Sequence, residues 1–266
     1  MKVKSLTILV MAAFAVMLLS LPAHALYTGT VDVEINGFGA NAGVGVWVSS
    51  DDDYDPTKFW TYEKRYSCAA SGVYNYTKLG STGEGNFLPD DFGGFCVELG
   101  APRKNGTYDL VMPKDGPDPG TYSGGAMGTD KADLLRKLWG MAFEKAWYAD
   151  ESTQSQANKD AAEAFGVAVW EIVHERSGVY DVTNGSFLVT PWSWECQVNL
   201  GSDYVNQLIA DAEQYGGSLP VLRIMTMCPT EDNGQDILVE IPEPGSVSMI
   251  AFSLMGMLVF FRRRRG

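Results

Sequence analysis

One stretch of this chain restricts the fold more than any other. Ala161, Ala164, Phe165, Val167, Ala168, Val169, Trp170, Ile172 and Val173 recur so densely that a helix built from them is apolar almost all round. Such a helix has no face to give to water, so it belongs at the centre of a domain with other elements around it. Asn158 is a suitable N-cap, and the spacing predicts a helix from there to about Glu175. Gly166, inside that helix, costs about 1 kcal/mol relative to Ala, which points to close packing there, near Cys96.

The rest of the chain supplies the surroundings. Val31, Val33 and Ile35 alternate with Asp32 and Glu34, the period of a half-buried strand, and Val44, Val46 and Val48 repeat it after a turn at Asn36-Gly37. Residues 50–94 read as loop-rich. Their acidic cluster, Asp51, Asp52, Asp53 and Asp55, lacks the spacing of a calcium loop and reads as a solvated turn. Phe95 to Leu99 reads as a short strand and residues 112–128 as a Pro- and Gly-rich loop. Leu134, Leu135, Leu138, Trp139, Ala142, Ala146 and Trp147 have helical spacing. A further helix is expected from an N-cap at Ser202 to Gly216-Gly217. Val221 to Met227 and Asp236 to Ile241 read as closing strands. The expected fold class is α+β: a single extracytoplasmic domain, residues 26–240, of β-strands with a buried central helix.

Both ends differ from that body. Residues 1–25 read as a signal peptide: Lys2 and Lys4, an apolar run from Leu6 to Leu21, then the small residues Ala23 and Ala25 at the cleavage site. Residues 241–266 carry Pro242, Glu243 and Pro244, an apolar run from Val247 to Phe261, and Arg262, Arg263, Arg264 and Arg265. They read as a short C-terminal transmembrane helix with a basic cytoplasmic flank. Acidic residues outnumber basic ones by 33 to 20, and six of the basic ones, Lys2, Lys4 and Arg262 to Arg265, sit at the two ends. The body therefore lacks the cationic surface that nucleic-acid binding requires.

The chemistry-bearing residues are few. Cys68, Cys96, Cys196 and Cys228 show no C-x-x-C pair, so neither a zinc site nor a redox centre is expected, and no cofactor or metal is assigned. An even count in an exported chain favours two disulfides. Of three connectivities, proximity favours Cys68–Cys96 and Cys196–Cys228. No nucleophile-elbow, zincin or phosphate-loop pattern occurs, so no catalytic residue is assigned. His174 reads as a helix-end residue. Trp192 and Trp194 are candidates for stacking on a sugar ring, the basis of an alternative reading as a secreted carbohydrate-binding domain.

Pro242-Glu243-Pro244, the apolar run and the arginine cluster together resemble the PEP-CTERM sorting signal of Gram-negative bacteria. The resemblance implies recognition by exosortase, anchoring in the inner membrane before processing, and then a cell-surface or extracellular location. Candidate partners are exopolysaccharide and other surface proteins. A second resemblance covers about half the body. Phe95-Cys96-Val97-Glu98 and Ala164-Phe165-Gly166-Val167-Ala168-Val169-Trp170-Glu171-Ile172 look like the two signature segments of Cys-Gln thioester domains. In that family a cysteine and a glutamine lose ammonia to form an internal thioester that captures amines. Here Gly166 stands where the glutamine is expected, so the resemblance implies a thioester-domain-like body that has lost the bond. The expected function is a non-enzymatic, exosortase-processed surface or matrix protein with a structural or adhesive role. A covalent thioester adhesin using Cys96 is the alternative.

Overall fold

The computed structural model describes residues 29–48, 64–118, 125–189, 198–227 and 234–242, with the side chains of residues 64–68 left out. Two long strands dominate. β1 (Gly29–Val48) and β2 (Lys64–Thr82) pair antiparallel from Thr30↔Thr82 to Val48↔Lys64. Strands of this length cannot stay straight inside a small domain. The register breaks between Asp32 and Val33, Ile35 and Gly37, Phe38 and Asn41, and Val44 and Val46, and such bulges bend and coil a strand. Asn36-Gly37, expected as a turn, is one of these breaks within β1. Gly37 absorbs it at φ +104°, where a side chain would be strained.

The bending closes a ring. β3 (Asp91–Cys96) pairs with β2. β4 (Gly106–Val111) pairs with β1 and with β6 (Leu222–Met227), and β7 (Ile237–Glu240) joins β6 to β3. All pairings are antiparallel, so six strands form a closed barrel. β5 (Phe187–Val189) is added outside it, on the far end of β1. Closure removes sheet edges and accounts for long strands in so short a body.

This corrects the expected α+β class. More of the described residues lie in strands than in α-helices, and the architecture is an antiparallel barrel. Residues 50–94 are not loop-rich throughout. β2 and the start of β3 lie there, hidden from pattern reading because Gly, Ser, Asn and Lys interrupt the alternation. The acidic cluster Asp51–Asp55 lies outside the described residues. Among the described residues no helix is long and apolar enough to cross a membrane, and residues 247–261, where the transmembrane helix is expected, lie outside the described residues.

Three α-helices pack on the barrel: α1 (Thr129–Ala142), α2 (Gln156–His174) and α3 (Ser202–Gln214). Helix α2 is the buried one. Residues Ala162 to His174 are all buried, and the helix packs on β1, β2 and β3 with α1 and α3 over its other side. It starts three residues earlier than expected, because the Ser155 hydroxyl, not Asn158, accepts the capping hydrogen bond, from Asn158 N at 3.2 Å. Ala146 and Trp147, expected in α1, lie in a separate 3-10 turn, Lys145–Tyr148. That turn brings Trp147 into an aromatic cluster with Phe95, Phe143 and Phe165. Phe95 lies 4.6 Å from Phe165 and edge-on to Trp139 at 5.7 Å.

The last strand is held with particular firmness. Ile237, Leu238 and Val239 are fully buried in β7, and Ile241 just beyond it is 3% exposed. At about 1.5–3 kcal/mol per buried aliphatic side chain, withdrawing these four costs roughly 6–12 kcal/mol. That rivals the ~5–15 kcal/mol net stability of a whole domain. Opposite, Arg223 of β6 pairs with Glu84 through Nη2–Oε1 at 2.7 Å, an ion pair nearly closed off from water.

Candidate functional site

Cys96 ends β3 and points into the core, 2% exposed. Its thiol donates to the Glu98 carbonyl oxygen. Burial pushes the thiol far above its ordinary pKa; the neighbouring Trp170 indole and the Glu98 backbone offset only part of that rise. The sulfur is therefore a protonated thiol and no nucleophile at neutral pH. Trp170 Nε1 lies beside the sulfur but off hydrogen-bond geometry, and is buried without an acceptor. Cys96 is a free thiol, so the expected Cys68–Cys96 disulfide is not formed. The reason is placement: Cys96 is enclosed by β7, α2 and the barrel wall. Of Cys68 only the backbone is described, and Cys196 and Cys228 lie outside the described residues, as does the Cys196–Cys228 pairing.

Gly166 faces β2. A Cβ built on it would lie 2.5 Å from Ser71 Oγ and 2.9 Å from Gly72 N, with Phe95 Cδ1 at 3.5 Å. Ser71 is wholly buried, and its hydroxyl donates to the Glu163 carbonyl of α2 at 2.8 Å. Sheet and helix thus touch backbone to backbone, in the space where a side chain at 166 would begin. This accounts for a glycine at a costly helix-interior position. It also closes the position: a glutamine at 166 has no room for its first carbon, let alone a route to Cys96.

Another carboxamide does approach the thiol. Gln235, just before β7, is 7% exposed and donates through Nε2 to the Glu98 carbonyl at 3.0 Å, the oxygen that also accepts from Cys96. Its Oε1 is buried without a partner. Nothing in the local sequence marked Gln235, because it sits outside any periodic segment. Next to it, Asp236 is pushed up to about 7, by burial first and by Glu98 second.

Three carboxylates on or next to α2, none of them among the candidate residues of the sequence, are also buried there. Glu163 Oε2 accepts from Asn199 N at 2.9 Å, and Glu171 Oε1 from Asp181 N at 2.7 Å. Glu175 accepts from Arg176, Ser177 and Ser186 N. All three are buried, and they hold the segment after α2 against the helix by its backbone N–H groups. Burial pushes Glu163 up to about 7. Burial, then the neighbouring Glu175, pushes Glu171 up to about 9. Their spacing of eight and four residues, in a helix otherwise apolar, was the available signal. His174 is the last residue of α2, buried, with its ring stacked on Phe187.

Of the sorting motif, Pro242 is described: half-buried, one residue after Ile241, whose N–H donates to Val221 O at 2.8 Å. Ile241 and Glu240 line a surface groove of about 350 Å³ together with Trp139, Phe143 and Pro220. Trp139 Nε1 donates to Glu240 Oε2 there at 3.2 Å. Glu243, Pro244, Arg262, Arg263, Arg264 and Arg265, the cleavage residues Ala23 and Ala25, and Trp192 and Trp194 lie outside the described residues. Among the described residues no cluster of His, Cys, Asp or Glu has the arrangement of a metal site.

The fold and site together define a class: a closed antiparallel barrel with a buried helix laid on it and a shielded thiol at their junction. The chain matches no protein-family model, no curated protein and no solved structure.

Proposed function

We propose that this is an exported, exosortase-processed surface or matrix protein with a structural or adhesive role. Its thioester-like centre serves packing, not covalent capture. The observation that carries the second half is the contact at Gly166: with Ser71 Oγ and Gly72 N in the place of a side chain, no acyl donor reaches Cys96 from α2. The sorting half rests on Pro242-Glu243-Pro244, the apolar run after it and Arg262–Arg265. In a host with exosortase, the body is released from the membrane fraction. The triple variant P242A/E243A/P244A is retained. Equal release of the two chains would refute the sorting reading.

A second reading is supported by Gln235. Its carboxamide and the Cys96 thiol meet at one carbonyl oxygen, with the unpartnered Trp170 N–H beside the sulfur. A covalent adhesin would use that pair: Cys96 Sγ bonds to the Gln235 side-chain carbonyl carbon and ammonia leaves. Its signature is methylamine incorporated at Gln235 and abolished by C96A. The burial of the thiol as a protonated group favours the first reading.

A further inference from the structure

Arg103 is a cation on a rigid mount. It lies between β3 and β4, and its neighbours in that loop are tied to the barrel. Pro102 O accepts from Gln235 N at 3.0 Å, Lys104 O from the Tyr108 hydroxyl at 2.8 Å, and Asn105 Oδ1 from Ile35 N at 2.9 Å. The guanidinium carbon stands 4.0 Å from the centre of the Phe38 ring and 4.8 Å from that of Tyr74, and the two rings meet at 5.2 Å. Contact with two rings fixes where the group sits and how it is turned. An arginine carries five N–H donors in one plane. Among the described residues no oxygen accepts from any of those of Arg103, and its Nη1 is buried. Arg223, the comparable half-hidden arginine on β6, has Glu84 for its fork. A charged donor shut away from water without an acceptor is costly to keep, so a fork held this way is set up for an acceptor from outside.

We infer that Arg103 binds a carboxylate, carried singly on a small hydroxylated molecule of the sugar-acid kind. The planar fork matches a carboxylate edge to edge. Half-buried Phe38 gives the carrier an apolar contact, and there is room beside it: a Cβ built on Gly37 would meet nothing within 4 Å. Asn105 is exposed, and with its Oδ1 spent on Ile35 its amide N–H groups remain for ligand hydroxyls. The chain's excess of acid, 33 groups against 20, repels a polyanion. A single carboxylate against Arg103 feels chiefly that one cation, since salt screens exposed charges beyond about 8 Å. This site goes beyond the surface-protein reading and does not depend on export or processing.

The test is a titration of the folded, ¹⁵N-labelled protein with sodium glucuronate at constant ionic strength, following the Arg103 Nε–H resonance, which is assigned by its loss in R103K. Methyl glucoside supplies the ring without the anion, and inorganic phosphate an oxyanion without the planar carboxylate. The expected result is a saturable shift with glucuronate, none with methyl glucoside, and weaker binding of phosphate. R103K, which keeps the charge but not the fork, should bind glucuronate at least about tenfold more weakly, read from the backbone amides of Gly37 and Phe38. F38L keeps Arg103 and removes the ring beneath it, and should weaken binding too; the dispersion of the amide spectrum shows that each variant is folded. A wild-type response to glucuronate no different from that to sodium chloride overturns the inference, whatever the variants do. So does equal binding by folded R103K, or tighter binding of phosphate than of glucuronate.

Discussion

Replacing Glu171 with Gln should make the protein more stable in mild alkali. The carboxyl is fully buried, and burial with the neighbouring Glu175 raises it from 4.5 to about 9. The folded state thus keeps a proton that the unfolded chain releases near 4.5. A raised acid stabilises the fold fully below the unfolded value, and that stabilisation is lost as pH climbs toward the folded value. The loss accrues at up to about 1.4 kcal/mol per pH unit, so it amounts to about 3 kcal/mol by pH 7. Glu163 and Asp236, both raised to about 7, act in the same direction below neutrality. The window that isolates Glu171 is therefore pH 7 to 9. Facing it are Glu175 just past the end of its own helix, Asp181 from the segment beyond and Lys131 from α1. Glutamine retains an acceptor for Asp181 N–H and cannot ionise. Urea unfolding followed by tryptophan fluorescence should show wild type losing stability steadily across that window while E171Q stays flat. Near pH 5 the two should lie within about 1 kcal/mol of each other. Parallel curves, or a wild type that gains stability toward pH 9, would refute the assignment of a buried, protonated Glu171.

Packing sets three further outcomes. Gly166→Ala should destabilise by about 1–3 kcal/mol despite alanine's better helix propensity, because its Cβ meets Ser71 Oγ at 2.5 Å; urea midpoints measure it. Glu84→Gln leaves the Arg223 guanidinium, itself 8% exposed, without its anion, and should cost about 3 kcal/mol in the same assay, more than any exposed acid-to-amide change. Cys96 should resist N-ethylmaleimide in the folded protein with or without reductant, and react once denatured, as peptide mapping would show.

The range of each interaction decided whether the sequence revealed it. Helix α2 was legible because its apolar residues are dense and its period is local. The first strand was legible at Val31, Val33, Val44, Val46 and Val48, because valines at every second position trace one buried face of a strand. The barrel was not legible. Closure depends on β7 meeting β3, a pairing that joins residues 95 and 96 to residues 238 and 237 and leaves no local trace. β2 was missed for a related reason. Gly72 and Gly80 break its pattern, yet Gly72 is needed where β2 passes Ala40 and Asn41, whose atoms lie within 3 Å of any Cβ placed there. At the site, Gly166 announced a close approach, expected near Cys96, and only the fold identifies Ser71 and Gly72 as the residues whose atoms it meets. Gln235 shares the Glu98 carbonyl with Cys96 because β7 lies beside β3.

The central claim is that the thiol at the barrel–helix junction carries no acyl group. It is tested most directly by the intact mass of the folded, purified body before and after incubation with methylamine. The account predicts a mass equal to that of the processed sequence, with no ammonia lost and no methylamine gained. A mass short by one ammonia, with methylamine then recovered on Gln235, would contradict it and establish the covalent reading in its place.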